Sequence, residues 1–145
     1  MKIQDSDIFD HHSFWELWQG KFFPVRAGFP SPAQDFEERS LDLNQLIAPR
    51  RASTFFVRAQ GDSMKNIGIF TGDILVVDRS ISPLSSHIII AVVNGEFMVK
   101  RYLEAGGKVY LTSENYSYPP LEVQEDMDFE IWGVVTWVLH PLKGL

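Results

Sequence analysis

One serine of this chain lies in a loop that two glycines bound. The stretch "GDSMKNIG" at residues 61–68 places Ser63 directly after Asp62. Glycine, aspartate and serine are ordinary turn residues, so this stretch alone favours a simple turn. A serine hydroxyl becomes a nucleophile only when a neighbouring base removes its proton. Ser63 can therefore act as a nucleophile only if the rest of the chain supplies that base.

Histidine is the usual base, but its positions here are unfavourable. His87 opens a hydrophobic strand, where an ordinary hydrogen bond is typical, and His11 and His12 are expected on a solvated arm. The late His140 lacks the D-x-x-H context of GDSL esterases, and the G-x-S-x-G and S-x-x-K serine motifs are absent. No metal-ligand spacing such as H-x-x-x-H occurs. The sequence thus favours neither a histidine triad nor a metal or other cofactor.

Lysine is the remaining candidate base. It serves only when neutral, so its pKa must fall from about 10.4 toward 7, a bias of roughly 4 to 5 kcal/mol against the charge. Lys100 in "EFMVKRY" shares a strand face with Met98 and Tyr102 and is the best placed. A lysine at the edge of a sheet has the same pattern, so this strand alone leaves both interpretations open. Three other lysines lie in polar loops or the tail: Lys65, Lys108 and Lys143.

The elements that must position these residues are predominantly strands. Six segments are short, rich in β-branched and aromatic residues, and bounded by turn residues: "TFFVRA", "DILVVDR", "HIIIAVV", "EFMVKRY", "KVYLT" and "FEIWGVVTWVL". Asn94-Gly95 is the dipeptide that a two-residue type I′ hairpin requires. A short helix is expected near residues 41–47. The sequence therefore predicts a mainly β body with short helices.

The N-terminal segment has a different character. Acidic residues alternate with aromatic ones, and Phe14, Trp15 and Trp18 could form one face of a short helix. Pro24, Pro30 and Pro32 follow, and prolines at this density predict an extended linker outside any sheet interior.

Composition limits the classes of function. A length of 145 residues with 45% hydrophobic residues suits one domain. A net charge of -6 and a pI near 5.1 argue against autonomous binding of nucleic acid. The lack of cysteine excludes disulfides and is typical of a reducing compartment. No signal peptide or membrane anchor is recognisable, so a cytoplasmic protein is expected.

Six ordered segments share one family pattern: "GFPSPAQD" at 28–35, "LDLNQL" at 41–46, "GDSM" at 61–64, "GDILVVDRS" at 72–80, "VNGEFMVKR" at 93–101 and "GVV" at 133–135. Together they resemble the LexA/UmuD family of self-cleaving Ser-Lys proteins, which are peptidase S24-like. Lys100 follows Ser63 by 37 residues, a separation that agrees with the family. The resemblance implies a single LexA/signal-peptidase-like β domain. LexA carries a helix-turn-helix domain before its cleavage site, and the 27 residues here are too few for one, so direct sequence-specific DNA binding is not expected.

The resemblance also implies the roles of individual residues. Ser63 would be the nucleophile and Lys100 the base, and the chain would cut itself between Ala27 and Gly28. UmuD has cysteine in the place of Ala27, whereas LexA-like relatives have alanine. A flexible arm, residues 1–27, would be removed from a Ser-Lys autoprotease domain, residues 28–145. The backbone N–H groups of Ser63 and Asp62 are the expected oxyanion hole, and Asp62 is expected to shape the loop.

Partners follow from the same resemblance. A RecA filament on single-stranded DNA would stimulate cleavage after DNA damage. The shortened homodimer would join the polymerase subunit UmuC for error-prone translesion synthesis in the SOS response. Loss of Phe14, Trp15 and Trp18 would uncover a partner surface on the body. Delivery of the linker within one chain or from a partner chain is equally compatible with its length.

Two other interpretations use the same residues. A trans-acting peptidase of the signal-peptidase type shares the Ser-Lys pairing but needs a membrane anchor, which the sequence lacks. A β-rich polymerase accessory or binding module with a catalytically silent serine and lysine remains open at this point.

Overall fold

The computed structural model describes residues 41–143 together with three two-residue strands near the N-terminus, β1 (Lys2–Ile3), β2 (Ile8–Phe9) and β3 (Gln19–Gly20). The continuous part contains β4 (Leu41–Asp42), α1 (Leu43–Ile47), β5 (Thr54–Arg58), β6 (Ile74–Asp78), β7 (Ile88–Val93), β8 (Glu96–Ala105), β9 (Lys108–Thr112), β10 (Leu121–Glu122) and β11 (Phe129–Leu139). Single turns of 3-10 helix occur at Arg51–Ser53 and Lys65–Ile67.

The dominant feature of the described residues is one antiparallel sheet. Nine strands form it, in the order β10-β9-β8-β7-β11-β6-β5-β2, with β1 pairing to β8, while β3 and β4 pair separately. All six strand segments predicted from the sequence are present as β5 to β9 and β11. Their β-branched and aromatic residues suit a pleated, largely buried surface. The predicted mainly β fold is confirmed.

The hairpin between β7 and β8 forms where the sequence placed it. Val93 pairs with Glu96, which leaves a two-residue turn, and Asn94 and Gly95 have φ of 49° and 80°. Positive φ at both central residues is the geometry that favours Asn-Gly in a type I′ turn. This turn fixes the register that places Lys100 opposite Ile89.

The predicted short helix begins later than expected. Residues 41 and 42 form β4, and α1 starts at Leu43. The Asp42 carboxylate accepts a hydrogen bond from the backbone N of Asn44 at 2.9 Å, the standard arrangement of an N-cap. The cap fixes where the helix can start, so the preceding residues remain extended.

Two apolar clusters share the sheet between them. Along β7, Ile88 and Ile90 belong to one cluster, and Ile89 and Ala91 to the other, because successive strand residues point to opposite faces. The first cluster also contains Val57, Ala59, Met64, Ile69, Leu75, Val77 and Val99, and the second contains Val93, Tyr102, Leu111 and Val134. Met98 and Tyr102, predicted to share a strand face, both pack in the second cluster.

Several predictions concern the N-terminal segment outside the described residues. These are the aromatic face with Phe14, Trp15 and Trp18, the extended proline-rich linker at residues 25–32, and the histidines His11 and His12. None of the helices among the described residues has the length and hydrophobicity of a membrane-spanning helix.

Candidate active site

Ser63 lies in a tight turn between β5 and β6. Gly61 and Gly68 have φ of 98° and 84°, so both glycines adopt the left-handed backbone that other residues disfavour. Gly61 is held by Thr71, whose Oγ1 accepts from its N at 2.9 Å and donates to its O at 3.0 Å. Ser63 is only 1% exposed, and the next residue, Met64, is fully buried in the first cluster. The turn is thus anchored on the core and its serine is shielded from solvent.

Lys100 lies in β8, where Ile89 of β7 is its partner. Its side chain is half-buried, and burial lowers the pKa of the amine because it disfavours the charged form. The amine donates a hydrogen bond to Ser113 Oγ at 2.5 Å. None of the carboxylates in the described residues forms a salt bridge with it. Burial therefore shifts the amine toward the neutral form that a base requires.

The loop at residues 113–118 connects the serine turn to this lysine. Asn115 Nδ2 donates to the carbonyl O of Asp62 at 3.0 Å, and Tyr118 Oη donates to the Asp62 carboxylate at 2.8 Å. The Lys100 amine lies 5.7 Å from the centroid of the Tyr118 ring. One tyrosine therefore contacts both the lysine and the residue before Ser63. The structure brings the Ser63 turn and Lys100 to the same loop.

This 113–118 loop is itself fixed by several polar contacts. Arg101, the neighbour of Lys100, forms an ion pair with Glu114 and donates to the Ser86 carbonyl at 2.6 Å. The Glu114 carbonyl accepts from the backbone N of Asn66 at 2.9 Å. Because these contacts come from both β8 and the Ser63 turn, the loop sets the position of one relative to the other.

Asp62 has a structural role in this arrangement. Its carbonyl accepts hydrogen bonds from Lys65 N and Asn115, and its carboxylate accepts from Tyr118. The Asp62 carboxylate also raises the pKa of Tyr118, because it stabilises the phenol that donates to it. These contacts fit the expectation that Asp62 shapes the loop.

Two further expectations stay predictions. The first is the oxyanion role of the Ser63 and Asp62 N–H groups. The second is cleavage between Ala27 and Gly28, which lie outside the described residues.

Sequence reasoning missed Ser113, Asn115 and Tyr118. Their segment, "SENYSYPP", has the composition of an ordinary polar loop. One signal was available: β8 and β9 are antiparallel, with Arg101 opposite Thr112, and that register places Ser113 beside Lys100. Predicting the contact between Ser113 and Lys100 would have required the register of β8 and β9 as well as the positions of the two strands in the sequence.

The histidines of the described region have other partners. His87 Nδ1 accepts from the backbone N of Leu84 at 3.1 Å, the ordinary hydrogen bond expected for it. His140 Nδ1 lies 2.5 Å from Asp73, a carboxylate that is only 1% exposed and that also accepts from Phe70 N. This pair joins the residue after β11 to the residue before β6, and it was not predicted from the sequence. Among the residues that the structure describes, no group of three or more His, Asp or Glu could hold a metal ion.

The family match and the relatives of this chain all point to one protein family. Residues 18–136 match the family described as Peptidase S24-like. The chain is 48% identical to Protein SamA of Salmonella typhimurium over 118 residues, 81% of each protein. It is 40% identical to Protein MucA of Escherichia coli over 141 residues, 94% of this chain and 96% of that protein. The LexA repressor of Pseudomonas chlororaphis is 36% identical over 117 residues, 80% of this chain and 57% of the repressor.

Proposed function

Because this chain belongs to the peptidase S24-like family that includes LexA and UmuD, we propose that it is a serine endopeptidase that cleaves its own Ala27–Gly28 bond with Ser63 and Lys100. The supporting observation is the environment of the Lys100 amine. The amine is half-buried, has a lowered pKa, and contacts the loop that holds the Ser63 turn. A lysine whose pKa is lowered by burial gives up its proton more readily than an exposed one and can act as a base.

The chemistry follows from these two groups. The neutral amine of Lys100 takes the proton from Ser63 Oγ, and the oxygen attacks the carbonyl carbon of Ala27. The resulting ammonium passes its proton to the Gly28 nitrogen as the peptide bond breaks, which leaves Ala27 as an ester on Ser63. Water then attacks the ester carbonyl while Lys100 accepts its proton, and the ammonium returns a proton to Ser63 Oγ as the ester bond breaks and the Ala27 carboxylate leaves. The N–H groups of Ser63 and Asp62 are proposed to stabilise the oxyanion.

The biological setting is proposed from the family. The chain would be a cytoplasmic protein of the SOS response, and RecA on single-stranded DNA would stimulate its cleavage. Residues 1–27 would leave as an arm, and residues 28–145 would form a homodimer that serves UmuC in error-prone translesion synthesis. A tethered scissile bond that rarely occupies the cleft would keep cleavage slow until the filament stabilises the competent pose.

The test is incubation of the purified full-length chain across neutral to alkaline pH, followed by mass measurement of the products. We expect fragments 1–27 and 28–145. Because the neutral form of Lys100 is the base and burial lowers its pKa, the rate should rise with pH and reach half of its maximum below pH 10.5. RecA, nucleotide and single-stranded DNA should accelerate the reaction at neutral pH.

Matched variants identify the catalytic groups. Ser63→Ala and Lys100→Ala should abolish cleavage, whereas Ser82→Ala and Lys108→Ala, at exposed positions, should cleave normally. A chain that stays intact at all pH values, even with the RecA filament, would contradict the proposal. That result would favour the catalytically silent β-rich accessory or binding module.

A further inference from the structure

We propose that Ser113 is a positioning residue for the Lys100 amine, holding it in place for proton transfer at the Ser63 turn. The role in cleavage rests on the proposed function. The hydrogen bond itself does not, since the Lys100 amine lies 2.5 Å from Ser113 Oγ in the structure. Ser113 would act through Lys100, with no contact to the reacting carbonyl.

The placement of Ser113 depends on its neighbours in sequence. Thr112 is the last residue of β9 and pairs with Arg101, and Glu114 forms an ion pair with that same arginine. Ser113 is therefore fixed on both sides to the residue that follows Lys100. A hydroxyl held in this way can orient a long lysine side chain, which otherwise has many rotamers.

The other described groups near the amine are paired with other residues or uncharged, so the Ser113 hydroxyl has the main influence on its position. The Tyr118 ring lies 5.7 Å away, and its phenol is engaged with the Asp62 carboxylate. The nearby Glu114 carboxylate is paired with Arg101. On the β7 side the partner residue is Ile89, which carries no charge. Ser113 is thus the hydrogen-bonding partner of the amine within the described part of the chain.

A hydroxyl beside this amine has a defined electrostatic effect. It accepts a stronger hydrogen bond from the ammonium than from the neutral amine, because the ammonium bond is charge-assisted. Removing the hydroxyl should therefore lower the Lys100 pKa further and also leave the amine less well oriented. Ser113→Ala is expected to shift the rising limb of the cleavage rate to lower pH and to reduce the alkaline plateau about tenfold.

The first measurement is independent of cleavage. In full-length protein with Ser63→Ala, the Lys100 pKa is measured by NMR titration of the lysine side-chain carbon next to the amine. Adding Ser113→Ala should lower this pKa, whereas adding Ser113→Thr, which keeps a hydroxyl, should restore it. Ser117→Ala is the matched control, because Ser117 lies in the same loop and its contact to Asn115 uses only its backbone N.

The second measurement is the pH profile of self-cleavage in chains that retain Ser63. Ser113→Ala should show the lower plateau and the shifted limb, and Ser113→Thr and Ser117→Ala should resemble the parent chain. A lower plateau with an unmoved pKa would mean a merely structural role and would overturn the inference, as would an unchanged plateau. If the parent chain never cleaves while the NMR pKa shifts as expected, the proposed function fails and the hold of Ser113 on the amine stands.

Discussion

At the scale of single residues, the candidate site depends on buried polar groups whose hydrogen bonds are satisfied. Asn115 is only 6% exposed, donates from Nδ2 to the Asp62 carbonyl, and accepts at Oδ1 from the backbone N of Ser117. A buried amide with both ends bonded is favourable, whereas one lost partner leaves an unsatisfied group in the interior. Asn115 therefore fixes the peptide that precedes Ser63.

Asn115→Ala should lower the free energy of unfolding by about 1 to 3 kcal/mol, since the Asp62 carbonyl loses a buried donor. It should also slow self-cleavage, because the Ser63 turn is less well held. Asn66→Ala is the matched control: the Asn66 side chain is exposed, and its backbone N keeps the bond to Glu114. Urea unfolding and fragment quantification measure the two effects. Equal behaviour of the two variants would contradict this role.

At the scale of elements, a buried carboxylate ties β6 to the segment before β5. Asp78, the last residue of β6, accepts from Arg50 at 2.8 Å and from Ser53 Oγ at 2.9 Å. It also accepts from Ser80 N at 2.8 Å and Ser80 Oγ at 2.6 Å. Burial alone would raise the pKa of Asp78, but the hydrogen bonds from Ser80, Ser53 and Arg50 outweigh it and hold the pKa below 3.8.

Asp78→Asn should destabilise the fold by about 2 kcal/mol at pH 7, because hydrogen bonds to an ionised carboxylate are the stronger ones. The pKa of Asp78 is lower in the folded state than in the unfolded state. The ionised carboxylate therefore makes its full contribution to the free energy of unfolding above pH 3.8, and a smaller one as the pH falls through the folded pKa. The difference in free energy of unfolding between the parent protein and Asp78→Asn should therefore decrease at acidic pH.

Urea unfolding at pH 7 and at successively lower pH measures this prediction. Glu122→Gln is the control, because Glu122 pairs with Lys108 at the surface and an exposed ion pair contributes little. A stability difference for Asp78→Asn that persists unchanged down to pH 2 would refute the assignment to the ionised form.

At the scale of the whole molecule, strands from the N-terminal segment complete the sheet. β1 pairs with β8 at Phe97 and Met98, and β2 pairs with β5 at Phe56 and Val57. Without β2, strand β5 would become the edge of the sheet. Cleavage after Ala27 would separate these short strands from the body and expose the backbone groups of the two partner strands.

Hydrogen exchange of residues 28–145 should therefore differ from that of full-length Ser63→Ala protein at two places. Amides of β5 and of the first half of β8 should exchange faster in the shortened chain, because they lose a neighbouring strand. Amides in β7, which has β8 and β11 on its two sides, serve as the internal control. Identical protection of β5 in both proteins would contradict the prediction, and a uniform increase that includes β7 would instead indicate a destabilised body.

Features that depend on local constraints could be predicted from the order of residues. β-branched and aromatic alternation located β5 to β9 and β11, and Asn94-Gly95 located the hairpin, because both patterns restrict the backbone over a few residues. The strand face of Lys100 followed from the same period of two. The family segments then predicted Ser63 as the nucleophile and Lys100 as its base.

The contacts between polar side chains could not be predicted, because they depend on the folded arrangement of distant segments. Ser113, which follows β9, bonds to Lys100 on the adjacent strand β8. Asn115 and Tyr118 bond to Asp62 from 53 and 56 residues away, and His140 bonds to Asp73 from 67 residues away. Each of these residues has an unremarkable polar setting in the sequence. Their contacts arise from strand register and from loops closed by the burial of the apolar clusters, and no local pattern of residue types encodes either one.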